Sequence, residues 1–199
     1  KPLIEKSASI GKNVQLGKDV YLGKNVVIGD DVSIGSNTSI FHNVVINQGT
    51  IIGEYCLIKS GTIIGQKGFG FERDENDIPI SFPHFGNVEI MNHVEIGALN
   101  TFVAGGLGST IIGDHVKTDD HVHVAHNVKI GKGSLITACA EISGSVEIGE
   151  NVWLGPNCSI IDKIKIGDSA IVGIGSVVIK SVEAESIVAG NPAKPLNRS

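Results

Sequence analysis

A period of six runs through nearly the whole chain and limits what it can fold into. Ile4, Ile10, Leu16, Leu22, Ile28, Ile34, Ile40, Ile46, Ile52, Ile58 and Ile64 follow one another every six residues. The period resumes at Ile90, Ile96 and Phe102, slips by four residues, and then continues from Ile112 through Thr118, Val124, Ile130 and Ile136 to Val178. Two places before nearly all of these stands a Val or a small residue, such as Val14, Thr50, Cys56, Val128 and Cys158; just after many stands Gly. Six fits no α-helix of 3.6 residues per turn. It fits a short strand with two inward side chains, then a turn in which Gly supplies positive φ. Three strands and turns make a triangular coil of 18 residues, and successive coils pair as parallel strands about 4.8 Å apart. The 26 hexads predict eight to nine coils and a prism of about 40 Å. The expected fold is therefore all-β, a parallel β-helix over residues 1–178 followed by a C-terminal extension, 179–199.

Composition agrees with a core of stacked β-branched residues. Aromatics make up only 5% of the 199 residues, while 26 are Gly. A net charge of −5 without a Lys/Arg run argues against nucleic acid. No apolar stretch reaches the roughly 20 residues of a membrane helix, and "KPLIEKSASIGKN" does not read as a signal peptide. Three cysteines without a C-x-x-C pair suggest a reducing cytoplasm and no zinc ribbon.

The repeat breaks twice. Residues 65–89 leave the frame, and 104–108, "AGGLG", fall in the second slip. Counted in threes, Ile64, Phe102, Val124, Ile142, Ile160 and Val178 share one column, so both insertions leave from one corner. Loops on a solenoid mark either its functional face or merely a face free of partners. The same corner carries Ala125, His126 and Asn127 of "HVHVAHNVKIG", residues 121–131. With Val122 and Val124 inward, His121 and His123 are expected to point out from a flat face, and His126 to turn the corner. Gly144 lies one coil above His126. A neutral imidazole beside an uncovered backbone N–H suits acyl transfer: the ring takes a proton from an attacking amine, and the N–H steadies the oxyanion. Catalytic zinc needs three suitable protein ligands; Asp119 and Asp120 lie near the outward His121 and His123, yet no further His or Cys with clear ligand spacing joins them, so no metal is expected. His42 reads as a surface residue.

The "[I/L]G-x-x-x-x" repeat resembles the hexapeptide-repeat acyltransferases over essentially the whole chain. That resemblance implies a left-handed β-helix and a homotrimer; the usual right-handed crossover rule would have given the opposite hand. "GQKGFGF", "VEIGALNT", "STIIGDHVKTDDHVHVAHNVKIG" and "AEISGSVEIG" look like the UDP-3-O-acylglucosamine N-acyltransferase family of lipid A synthesis. In that family the His of A-H-N-V is the general base and a Gly one coil later gives the backbone donor, which map onto His126 and Gly144. The chain departs from that pattern in three places. "VAGG" (103–106) replaces D-R-G-A, Asp162 and Lys163 replace a G-H dipeptide, and the end, "VAGNPAK", resembles CoA-dependent sugar acetyltransferases.

The expected activity is thus a cytoplasmic, acyl-CoA-dependent (acetyl-CoA) N-acyltransferase acting on a nucleotide-linked amino sugar for a bacterial surface glycan. The alternatives are the lipid A enzyme with an acyl carrier protein as donor, and a non-catalytic or metal-binding β-helix trimer. Gly173, Ser176, Lys180, Lys194 and Asp162 are candidates for the CoA arm and its phosphates. Asn127, His123, Phe71 and His84 are candidates for the substrate side. Phe69, Phe82 and Phe85 of the long insertion would cover a ligand or a neighbouring subunit.

Overall fold

A computed structural model describes residues 1–196. The three residues that end the expected C-terminal extension lie outside the described part. The chain winds into a three-sided parallel β-helix whose sides are sheets of two- to four-residue strands. Ten strands stack in parallel in the first sheet, from Leu3–Ile4 to Ile187–Ala189, and Lys194–Pro195 closes it antiparallel. Nine stack in the second sheet and eight in the third. The stack is deeper than the expected eight to nine coils. Beyond Val178 the strict period ends, yet Val182 bridges Ile166 and Ile187 pairs with Ile171, so winding continues at a spacing the hexad count does not register.

The inward residues form one continuous core. Ile28, Ile58, Ile96, Val124, Ile142 and Ile160 are at most 2% exposed, and Val122, Cys56 and Cys158 fill the smaller inward position beside them. Burial pushes the Cys158 thiol up to about 12.

The turns depart from expectation. Apart from Gly65 (80°), where the long insertion departs, the glycines just after the inward residue do not carry the positive φ; that falls two places later, on Asn13 (56°), Asn25 (57°), Asp31 (58°), Asn127 (59°) and their equivalents. Asn and Asp tolerate this left-handed conformation, which explains their recurrence. The glycines serve close stacking. A Cβ on Gly11 would lie 2.7 Å from the backbone carbon of Gly29, and one on Gly131 would strike the backbone of Gly149.

Candidate active site

Ile64, Phe102, Val124, Ile142, Ile160 and Val178 pair in register along the second sheet. Both insertions leave this sheet, the long one after Ile63–Gln66 and the short one after Thr101–Val103, and both re-enter at the third sheet. His126 and Gly144 sit on the same corner.

Elsewhere, the first turn residue of a coil often caps the turn below it. Asp30 accepts from Lys12 N–H at 2.7 Å, Asp120 from Ala98 N–H at 2.7 Å and Asp168 from Glu150 N–H at 2.8 Å. His42 does the same, its Nδ1 accepting from Lys24 N–H at 2.9 Å. The equivalent slot holds His126, but the coil below has left as residues 104–108, so its ring is released from this structural duty. One coil above, Gly144 leaves room for the ring: a Cβ there would lie 2.6 Å from Nε2 and 2.5 Å from Cε1. The N–H of Gly144 meets no acceptor among the described residues.

Asn127 ties the ring to the short insertion. Its Oδ1 accepts from Gly106 N–H at 2.9 Å, which turns its NH2 toward His126 Nδ1 at 3.3 Å. A donor facing Nδ1 favours the neutral ring, since a doubly protonated imidazolium would meet it donor to donor. The two insertions clasp each other: Phe85 N–H donates to Gly106 C=O at 2.7 Å and Gly86 N–H to Gly105 C=O at 3.1 Å. Ser109 Oγ reaches Asn87 at 2.5 Å and Glu89 at 2.6 Å. Within the long insertion, Phe71–Arg73 and Pro79–Ser81 form an antiparallel hairpin. Behind it His84 donates from Nδ1 to Phe82 C=O at 3.2 Å, and its ring stands edge-on to His126 at 6.0 Å. Glycines make the room here too, since a Cβ on Gly70 would lie 2.8 Å from His84 Cε1.

Burial pushes the His126 pKa below its ordinary 6.5 and the charge of His84 pushes the same way; Asp162 pulls against them, and Lys163 adds the weakest push downward. Two clefts meet at this ring. One, of about 860 Å³, lies toward the third sheet between the insertions and Lys129 and Lys163. The other, of about 580 Å³, runs over the second sheet past His123, Glu141, Ser143 and Gly144. His126 and Phe71 line both.

The repeat architecture is shared with known proteins. The family model of the bacterial transferase hexapeptide (six repeats) matches residues 7–42, 31–66, 109–144 and 145–180. The chain belongs to the bacterial hexapeptide transferase family. The unmatched stretch 67–108, between the second and third matches, contains the short insertion and all but the first two residues of the long one. Among curated relatives of this hexapeptide transferase, the UDP-3-O-acylglucosamine N-acyltransferase of Coxiella burnetii is 42% identical over 146 residues, 73% of this chain and 43% of the relative. That of a Caulobacter strain is 35% identical over the same shares. The chain thus spans under half the length of these relatives. The solved UDP-N-acetylglucosamine O-acyltransferase of Moraxella catarrhalis superposes with a TM-score of 0.89 at 25% identity, covering 97% of this chain and 73% of that one.

Several residues expected from the sequence do not gather at the transferase's corner. His121 does not stand on a flat face: it is the positive-φ residue (59°) of the turn between the first and second sheets, one corner away from His126. Ser176 is fully buried, its Oγ accepting from Gly190 N–H at 3.3 Å, so its side chain offers nothing to a CoA arm. Gly173 follows the first sheet, where a Cβ would meet Ala189 at 2.8 Å, and Lys194 lies on that sheet's closing strand. Asp162 and Lys180 are exposed and do rise on the His126 corner. Among the described residues no group of three His, Cys, Asp or Glu side chains is placed to hold a metal. Sequence reasoning missed Lys129, Lys163, Glu141 and Ser143 as cleft residues, and the Asn87–Ser109 tie. The hexad frame marks Lys129 and Glu141 as outward, which was the available signal; the tie joins an unframed loop and had none.

Proposed function

We propose that this hexapeptide transferase moves an acyl group from a thioester to the amine of a nucleotide-linked amino sugar, with His126 as general base. The observation that carries this reading is the released, half-buried imidazole beneath Gly144, flanked by a cleft on each side. In the reaction the sugar amine attacks the thioester carbonyl, forming the C–N bond, and His126 takes the amine proton. The Gly144 N–H stabilises the oxyanion of the tetrahedral intermediate. The C–S bond then breaks, and the imidazolium returns the proton to the thiolate. For Nε2 to accept, the ring proton must sit on Nδ1, so the Asn127 amide gives up its contact with that atom as the reaction starts.

The names of the curated relatives favour a UDP-3-O-acylglucosamine-like acceptor, and with it an acylated carrier protein over acetyl-CoA as donor. Gly173 and Lys194 lie on the side of the first sheet and the Ser176 side chain is buried, which removes most of the support for a CoA site. Assembly as a homotrimer is part of the same reading. His126→Gln keeps the ring's volume roughly and removes the base; turnover should fall by about 100-fold or more. The test offers UDP-linked glucosamine acceptors with acyl carrier protein thioesters and, separately, acetyl-CoA. Near-normal turnover in the variant overturns the role of His126, and turnover with acetyl-CoA alone restores the CoA reading.

A further inference from the structure

The two clefts that meet at His126 differ in charge. The third-sheet cleft holds Lys129 and Lys163 against one carboxylate, Glu72, and adds the two imidazoles of His84 and His126. The second-sheet cleft holds one Lys and one Glu, Lys67 and Glu141. The Glu141 carboxylate accepts from Ser143 Oγ at 3.3 Å.

The carboxylates around the cationic cleft offset its lysines only in part. Glu147, the register partner of Lys129 one coil above, is taken by Lys165, whose Nζ lies 2.7 Å from it. Lys129 itself makes no ion pair among the described residues. Lys163 stands in the left-handed turn conformation (61°), with Nζ 3.4 Å from the exposed Asp162 carboxylate, a pair that solvent largely screens. A chain of net charge −5 therefore concentrates lysines beside its candidate base. Clefts lined by one sign focus the field on ligands of the other.

We propose that this cleft binds the diphosphate of the sugar-nucleotide acceptor through Lys129 and Lys163, and that the uncharged thioester arm of the donor enters from the second-sheet side. The inference rests on the acyl-transfer reading and adds to it which substrate takes which side. Its chemical basis is short. In a nucleotide-linked 2-amino sugar, the phosphate-bearing carbon is the neighbour of the amine-bearing one. An amine in contact with His126 therefore puts the first phosphate within about one sugar ring of it, and of the two clefts only one offers an excess of cations. The donor's pantetheine is neutral and slender and suits the balanced cleft over Ser143 and Gly144.

The test is calorimetric binding of UDP, with uridine as the probe lacking phosphate, to the full chain and to a Lys129→Gln/Lys163→Gln variant. The variant is expected to weaken UDP at least tenfold, to flatten the salt dependence of its Kd, and to leave uridine unchanged. Lys12→Gln, on a remote turn, should leave UDP binding as it was. In turnover, the acceptor KM should rise with little change in kcat or donor KM. Unaltered UDP affinity in the double variant, no UDP binding to the parent chain at millimolar concentration, or a rise confined to donor KM would each overturn the assignment. A UDP affinity that depends on the lysines in a protein that transfers no acyl group from any thioester would leave the cleft assigned and sink the acyl-transfer reading instead. Loss of turnover in His126→Gln with unchanged UDP affinity in the lysine variant would do the reverse.

Discussion

In its proposed role as base His126 acts only while neutral, so that reading makes the environment of one ring set the pH range of turnover. Burial of the ring is the largest cause of its lowered pKa, and the charge of His84 is the next. A base with a lowered pKa keeps its activity further into acid, so the acid limb of kcat/KM should lie below 6.5. Replacing His84 with Gln removes the second cause and leaves the first. The limb should move up toward 6.5 without reaching it, and a limb that stays put would show that the two rings do not communicate. The linkage has a matching sign for stability. The unfolded chain takes the proton more readily than the folded one, so this residue's contribution is present above 6.5 and is lost as pH falls below it. His126 and Gly144 could be paired from sequence because both sit inside the hexad frame, 18 residues apart. His84 could not be placed against them, because the long insertion has no frame and its position follows from Gly68, Gly70 and the clasp at Phe85 and Gly86.

The strand-and-turn unit explains both what the period disclosed and what it hid. Hydrophobic alternation located nearly every strand, since a residue that fails to point inward at its slot breaks the stack. It did not separate the two demands made on the turn. Close approach of successive coils selects Gly at the first position, and left-handed φ selects Asn, Asp or Gly at the third. Two substitutions distinguish them. Gly131→Ala puts a methyl group against the backbone of Gly149, which has no side chain to move aside. Overpacking of this kind costs about 1–3 kcal/mol. In a chain of this size each kcal/mol lowers Tm by about 2–4 °C. Gly175→Asn, at φ 63° with open space around its Cβ, should change stability by less than about 0.5 kcal/mol. Equal effects at the two sites in a thermal melt would refute the division of labour.

At the scale of the whole prism, each coil contacts mainly its neighbours, so stability is close to a sum of coil and interface contributions. The coils flanking the long insertion bear an added burden, because the chain leaves the stack for 20-odd residues and must return in register. There the interior turns polar. Asn100 is 1% exposed, at a slot where Val is the usual residue. Its Nδ2 donates to Thr118 Oγ1 at 2.7 Å and to Asp119 C=O at 3.0 Å, while its Oδ1 accepts from Val122 N–H at 2.5 Å. Thr62 Oγ1 below it accepts from Asn100 N–H at 3.1 Å and donates to Gly97 C=O at 2.8 Å. The hexad pattern treats Asn100→Val as a repair that restores the consensus of the core. The hydrogen bonds say the opposite. Val fills the slot but leaves the Val122 N–H without an acceptor and strips Thr118 of a partner, and an orphaned buried group costs about 1–3 kcal/mol. The variant should melt lower than the parent chain, and its Val122 amide should lose protection from hydrogen exchange ahead of amides in the first coils. A higher melting temperature would mean that burial of the Val outweighs the network, and that the repeat pattern alone governs this part of the stack.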